Sequence, residues 1–315
     1  MASITHPVHR PDQPPDDLRV ERVAPEHRKQ VFAMLLTGRT GASQIVDQFQ
    51  AFASEHALCL DELWAAYAGP KPIAATLIVP TAGRTAMAFL SPVVDRWQVK
   101  PCARLLSTAS RAQDPAAAAI IQALLEPSQR LESQALTEAG YTKLAHLLYM
   151  QRPTEPTVRP PTFDPQVRVL HWSDANRDAF ATAILASYEK TLDCCGLLGL
   201  RHIDDILAGH LATGAFKPEL WLALYHRDEP VGVLLVNPLP PRRAAELVYL
   251  GLTPPWRGKG LARRLVIHGL NLAHQHHADS MILAVDQVNT PAVRLYESMR
   301  FAPTARKLAM IFTLT

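Results

Sequence analysis

Apolar residues recur along this chain with two different periods. Short apolar runs, among them Leu63-Trp64-Ala65-Ala66-Tyr67, Ile73–Val79, Leu220–Tyr225, Val231–Val236, Leu247–Leu250 and Met281–Val285, predict buried strands. Between them, apolar positions at helical spacing predict helices around Val31 and Leu35, around Phe180 and Ile184, and from Arg263 to about His276. Strands and helices therefore interleave, which predicts an α/β fold.

The pattern occurs twice. Glu62-Leu63-Trp64-Ala65-Ala66-Tyr67 is matched 157 positions later by Glu219-Leu220-Trp221-Leu222-Ala223-Leu224-Tyr225. Each run then turns into a second strand, Pro72–Val79 in one copy and Pro230–Val236 in the other. Leu18-Arg19-Val20 opens the first copy as Val167-Arg168-Val169 opens the second, and Ala103-Arg104-Leu105-Leu106 answers Ala262-Arg263-Arg264-Leu265. A duplicated domain is the expectation.

Composition sets the boundaries. The 315 residues, 48% hydrophobic and 19% charged, suffice for two cores. Prolines mark the seams. Pro7, Pro11, Pro14 and Pro15 lie in a stretch without apolar periodicity, so residues 1–17 are expected to be a disordered tail. Pro153, Pro156, Pro160, Pro161 and Pro165 predict a linker over 151–166, leaving domains at 18–150 and 167–315. A net charge of +3 gives no charge-driven nucleic-acid surface, and no apolar run reaches transmembrane length or forms a signal-peptide core. The four cysteines (Cys59, Cys102, Cys194, Cys195) have no metal-ligand spacing, so a reduced, cytoplasmic protein without a metal is expected. His274, His276 and His277 suit a helix C-terminus, where positive charge complements the dipole.

The candidate chemistry lies in the second copy. The apolar run Glu246–Gly251 feeds Leu252-Thr253-Pro254-Pro255-Trp256-Arg257-Gly258-Lys259-Gly260-Leu261-Ala262, and a helix follows. A strand, a glycine-bearing basic turn and a helix N-terminus together aim backbone amides at one anion. The turn satisfies neither the Walker pattern nor the dinucleotide fingerprint. It does fit Q/R-x-x-G-x-G/A, and downstream Asn289, Ala292, Leu295, Tyr296 and Phe301 fall in the register N-x-x-A-x-x-L-Y-x-x-x-G-F. Arg300 stands where that pattern has glycine.

On these two motifs the chain resembles the GNAT-type, acetyl-CoA-dependent N-acetyltransferases, as a tandem two-domain member of the mycothiol-synthase type. The resemblance implies two tandem GNAT folds. Each would be a mixed, mostly antiparallel sheet with flanking helices and a splayed central strand pair. It implies acetyl-CoA as acyl donor and an amine, on a small molecule or a protein, as acceptor. Carried over, Leu250 and Leu252 would meet the pantetheine arm through their backbone. Gly258, Lys259, Gly260, Leu261 and Ala262 would surround the pyrophosphate, Arg257 would support the loop, and Asn289 would bond the arm or the cleft backbone. Tyr296 would donate a proton to the leaving thiolate. Strand alternation through 246, 248, 250 and 252 places Glu246 on the face of Leu250 and Leu252, where it is a candidate base. Asp193 and Glu189 would attract a cationic amine, whereas Cys194 and Cys195 lack a neighbouring histidine to make a nucleophile.

The first copy departs at the site. Its loop, Pro92–Pro101, has no glycine, Pro101 has no amide hydrogen, and Leu136 stands where the second copy has Tyr296. A degenerate GNAT domain is expected there. Two other readings compete for the chain: a non-catalytic acyl-CoA-binding scaffold, and aminoacyl transfer from tRNA, which the weak net charge disfavours.

Overall fold

The computed structural model describes residues 17–36, 61–155 and 161–314. The expected tail, apart from Asp17, and the middle of the expected linker lie outside the described residues, as does Cys59.

The two halves of the chain run through the same elements. The first half comprises β1 (Leu18–Arg22), α1 (Arg28–Leu35), β2 (Leu63–Ala68), β3 (Lys71–Thr81), β4 (Thr85–Leu90), α2 (Val99–Arg111), β5 (Ile120–Leu125), α3 (Arg130–Glu138) and β6 (Thr142–Pro153). The second comprises β7 (Val167–His171), α4 (Arg177–Ser187), α5 (Ile203–Leu211), β8 (Trp221–His226), β9 (Glu229–Leu239), β10 (Ala244–Leu252), α6 (Leu261–Gln275), β11 (Ser280–Asp286), α7 (Thr290–Ser298) and β12 (Ala302–Thr313).

The compact units do not coincide with the halves. Unit 1 is Met1–Lys143 with Leu308–Thr315, and unit 2 is Leu144–Lys307. In unit 1 the strands follow the order β1-β2-β3-β4-β5-β12, all antiparallel except the β4–β5 pair. In unit 2 the order is β7-β8-β9-β10-β11-β6, again antiparallel except at β10–β11. The last strand of each half thus completes the sheet built by the other half. β6 pairs with β11 from Pro153↔Ser280 to Leu147↔Asp286, and β12 pairs with β5 from Leu308↔Leu125 to Thr313↔Ile120.

This arrangement differs from the boundaries read from the sequence. Residues 151–153, expected to open the linker, are the end of a strand of unit 2, and residues 308–315, expected in the C-terminal domain, belong to unit 1. The reason is physical. A hydrophobic pattern identifies a strand, whereas its ladder partner is chosen by contacts remote in sequence.

Each unit has its own core. In unit 1, Leu105 and Leu106 of α2 and Leu136 of α3 pack on Ile121, Tyr141 and, from β12, Met310 and Phe312. In unit 2, Phe180, Ile184, Trp221, Leu234, Leu265 and Met281 are fully buried. The Trp221 indole donates to Asn237 Oδ1 at 2.7 Å, and the Asn237 amide donates to the carbonyls of His210 and Thr213, so a buried polar group ties α5 to the sheet. α6 lies on the sheet because Leu265, Val266, Gly269, Leu270 and Ala273 fall on one helical face.

Candidate active site

The cleft of unit 2 begins where two parallel strands stop pairing. The β10–β11 register runs only from Ala244↔Ser280 to Glu246↔Ile282. Beyond it, β10 continues to Leu252 and β11 to Asp286, and a cavity of ≈ 200 Å³ opens between them. Leu250 and Leu252 line one arm, Leu283, Ala284 and Val285 the other, and Asp193, Tyr249, Asn289 and Tyr296 line the cavity as well. Glu246 is the last β10 residue paired to β11 and does not line the cavity.

A bulge changes which face each β10 residue occupies. Glu246 lies opposite Asn237 and Leu247 opposite Val236, but Tyr249 lies opposite Leu235, so Val248 is an extra residue in the ladder. Directly opposed residues share a face, which groups Glu246 with Tyr249 and Gly251, and Leu247 with Leu250 and Leu252. The expectation that Glu246 shares a face with Leu250 and Leu252 is therefore corrected. Simple alternation fails across a bulge, because one added residue reverses every later side chain.

Gly251 allows α4 to approach that face closely. A Cβ there would stand 2.3 Å from Ser187 Oγ and 2.7 Å from Tyr249 Oη. Tyr249 Oη and Ser187 Oγ are hydrogen-bonded at 2.8 Å, and the Tyr249 ring stacks on His210 with centroids 5.7 Å apart. Burial pushes the His210 imidazole down to about 4, with Arg201 adding to the effect, so it is neutral at physiological pH.

The turn after β10 has the form of an anion cradle. Pro254–Trp256 make a single 3₁₀ turn, and Gly258 and Gly260 then adopt left-handed φ values of 73° and 76°. A Cβ at either glycine would meet nothing within 4 Å, so the turn is open. Gly260 is the N-cap of α6 and supplies no side-chain acceptor, which leaves the first-turn amides of the helix for a ligand or solvent. Leu261 and Ala262 begin that turn.

The two cations of the turn have different tasks. The Arg257 guanidinium donates to the carbonyls of Leu252 (3.0 Å), Ser187 (2.9 Å), Glu189 (2.7 Å) and Lys190 (3.1 Å). It is a clamp that joins the end of β10 to the end of α4 and caps that helix's last carbonyls. Lys259 lies over the Trp256 ring, its Nζ 5.4 Å from the centroid.

A pair of carboxylates braces the far wall. Asp193 Oδ1 accepts the Asp286 amide at 3.0 Å, and Asp286 Oδ2 accepts the Cys194 amide at 3.3 Å. Asn289, the N-cap of α7, accepts the Ala292 amide at 3.4 Å and bonds the Asp193 carboxylate with its side chain. Burial raises the Asp193 carboxyl, with the two hydrogen bonds opposing it. Tyr296 is 7% exposed, and burial together with the charge of Asp193 pushes its phenol up, so it keeps its proton. Burial likewise raises the Glu246 carboxyl, against the pull of Arg242. The Cys194 thiol is pushed up to about 12 by burial and by Asp193 and Asp286, which deprives it of nucleophilic thiolate.

Tyr296, Asn289, Leu250, Leu252 and Arg257 thus meet at one cleft, with Gly258, Lys259 and Gly260 in the turn that follows β10. Sequence reasoning missed the Asp193–Asp286 brace and the Ser187–Tyr249 pair. No motif spacing connects residues 93 or 62 positions apart.

Comparison with known proteins agrees with this geometry. Residues 154–301 match the model described as the Acetyltransferase (GNAT) family. A peptidyl-lysine N-acetyltransferase of Salmonella typhimurium, YjaB, is 36% identical over 93 residues, 29% of this chain and 57% of that protein. A mycothiol acetyltransferase of Frankia casuarinae is 28% identical, with 60% of each chain covered. In both, the chain spans less than two thirds of the relative's length. Among solved structures, a GCN5-related N-acetyltransferase from Sphaerobacter thermophilus superposes with a TM-score of 0.59 at 15% identity, covering 95% of this chain and 96% of that one. A tandem GNAT protein from the clavulanic acid biosynthesis pathway gives 0.54 at 12%, covering 94% and 98%. The fold is a tandem GNAT fold.

Proposed function

We propose that unit 2 transfers an acetyl group from acetyl-CoA to a primary amine on a small molecule or a protein. The observation that carries this reading is the parting of β10 from β11 after Glu246↔Ile282, with the open, uncapped turn Gly258–Gly260 on the strand that leaves the pair. The residues suit the donor. First-turn amides of α6 would hold its pyrophosphate, the backbone of Leu250 and Leu252 would follow the pantetheine arm, and Asn289 would border it. Acetyl-CoA, when bound, supplies an acyl thioester.

The protein has two tasks. The amine must lose a proton as its nitrogen bonds to the acyl carbon, and the sulfur must gain one as the carbon–sulfur bond breaks. Glu246, at the point where the strands part and with its basicity raised by burial, would take the first proton through water. Tyr296, buried, protonated and lining the cleft, would deliver the second. Asp193 would favour a cationic acceptor near the cleft. The names of the relatives, a peptidyl-lysine and a mycothiol acetyltransferase, support an amine acceptor. The free thiols of Cys102, Cys194 and Cys195 suit a reduced, cytoplasmic setting, and no helix among the described residues is long and apolar enough to cross a membrane.

The test is calorimetric titration with acetyl-CoA, followed by thiol release from acetyl-CoA in an amine screen. Saturable binding that Gly260→Asp removes, with thiol release on adding an amine, is the expected result. A folded wild type that binds no acetyl-CoA overturns the reading.

A further inference from the structure

We propose that unit 1 carries a second, separate binding site, an apolar slot between β4 and β5 that accepts a neutral aliphatic chain. The slot stands on unit 1 alone and does not depend on the acyltransferase reading of unit 2.

Its architecture repeats that of the cleft in unit 2. The parallel β4–β5 register runs from Thr85↔Ile120 to Met87↔Gln122, three pairs as in β10–β11, and then the strands part. A cavity of ≈ 270 Å³ follows, walled by Ala88, Phe89 and Leu90 of β4 and Ala123, Leu124 and Leu125 of β5.

What has changed is the chemistry of the walls. Met87 holds the register position of Glu246, the third and last pair of its ladder. Leu136, which lines the slot, is the seventh residue of α3 as Tyr296 is of α7. Gln129 matches Asn289 as N-cap, with φ −79° and ψ 65° against −77° and 63°. It is the one polar side chain on the wall among the described residues. Its Oε1 accepts the Glu126 amide at 2.8 Å and its Nε2 donates to Glu132 at 3.5 Å, so its capacity is spent inside the protein.

The anion cradle has also been closed. Gln98 Oε1 accepts the amides of Val94 and Asp95, each at 3.0 Å, and the Asp95 carboxylate caps the helix start in a capping box. The loop has no glycine, Pro101 in the first turn of α2 has no amide hydrogen, and the Asp95 carboxylate adds a negative charge nearby, all of which disfavour a pyrophosphate ligand.

Among the described residues no charged side chain lines the slot, so a charged occupant would lose its hydration without a partner from these walls. The volume lies near the lower end of small-molecule sites, roughly 300–1,000 Å³, and a dry apolar cavity takes apolar guests in preference to water. Phe89, on the wall, is 49% exposed, an aromatic surface that an occupant would cover. Complementarity in charge and shape therefore selects a short, neutral, aliphatic chain.

The full-length protein tests this with N-phenyl-1-naphthylamine, a neutral fluorophore, displaced by 1-octanol. The expected result is saturable binding of one probe per chain. Octanoate should displace it at least ~10-fold less well, because its charge is not accommodated. Ala88→Phe, which fills the slot, and Phe89→Asp, which charges it, should each weaken the probe at least ~10-fold while leaving acetyl-CoA titration unchanged. Phe89 is half-exposed, so its variant carries the test if Ala88→Phe does not fold. The proposal is overturned by a folded wild type without saturable binding, or by equal displacement with octanoate. Folded variants that bind as wild type overturn it too, as does probe binding that Gly260→Asp abolishes. A crystal structure with the slot filled by residues 37–60 or by a second copy of the chain has the same consequence.

Discussion

Units 1 and 2 share one strand order, one parallel pair and one helix placement, yet among the described residues only unit 2 presents an open glycine turn beside a polar cleft. In unit 1 the equivalent positions read Met87 for Glu246, Leu136 for Tyr296, and the glycine-free Pro92–Pro101 for the loop that carries Gly258 and Gly260. The buried faces survive in both: α2 presents Cys102, Leu105, Leu106 and Ala109 to its sheet much as α6 presents Leu265, Val266, Leu270 and Ala273. The fold is held by many interchangeable apolar contacts, whereas the site depends on a few side chains and two backbone conformations. Loss of the second leaves the first intact.

The exchanged strands offer the harshest way to break the comparison. Deleting residues 308–315 removes Met310, Ile311 and Phe312, all buried in unit 1. At about 1.5–3 kcal/mol for each large apolar side chain, the loss is about 5 kcal/mol or more, comparable with the whole stability of a domain. Hydrogen exchange should show unit 1 losing protection while the helices α4 to α7 of unit 2 keep theirs. Protection retained across β1 to β5 would refute the exchange.

Gly260→Asp moves unit 2 toward the closed cradle of unit 1. It places a carboxylate where the first-turn amides of α6 point, and acetyl-CoA affinity should fall at least ~100-fold, about 2.7 kcal/mol, without a change in melting temperature beyond a few degrees. Calorimetry alongside a thermal melt reads both.

Tyr296→Phe and Glu246→Gln separate binding from chemistry. Each should lower kcat about 10²-fold and leave the acetyl-CoA dissociation constant unchanged. The two differ in pH dependence. As the proposed base, Glu246 would act only when ionised, and burial raises its pKa above 4.5, so activity should fall as pH drops through that raised value, and Glu246→Gln should remove this acidic limb. As the proposed acid, Tyr296 would act protonated, and its pKa is raised above 10.0, so it should produce no loss of rate on the basic side below that value. An acidic limb that persists in Glu246→Gln would transfer the base role elsewhere, with Asp193 the first candidate.

The smallest effect sharpens the comparison at the turn after α3 and α7. Gly140 and Arg300 are equivalent, and both have left-handed backbone, φ 99° and 65°. An arginine there is strained and a glycine is not, so Arg300→Gly should raise stability by about 0.5–1 kcal/mol in a denaturant titration. A neutral or destabilising result would mean that the Arg300 side chain compensates for its backbone.

Much of this protein could be read from local pattern. The duplication, the paired strands at 63–68 and 221–226, and the anion turn are all written in residues that lie within a few positions of one another. Tyr296 and Asn289 were legible for the same reason, since one helix of nine residues carries the first and is capped by the second.

The remainder depended on partners far away in the chain. The exchange of β6 and β12 is a choice between two similar sheet edges, and a hydrophobic alternation reads the same for either. The bulge at Val248 is set by the ladder with β9 and reverses the face of Leu250 and Leu252 relative to Glu246. Arg257 reads in the sequence as loop support, but its four carbonyl partners lie up to 70 positions away, and Asp193 becomes a wall of the cleft only because Asp286 and Asn289 hold it there. Sequence alone determined the elements, their repetition and the glycine-bearing turn after β10, because torsional preference and short-range spacing decide those. Tertiary structure decided which strand completes which sheet and which way each side chain faces, because those follow from packing and hydrogen bonding between distant segments.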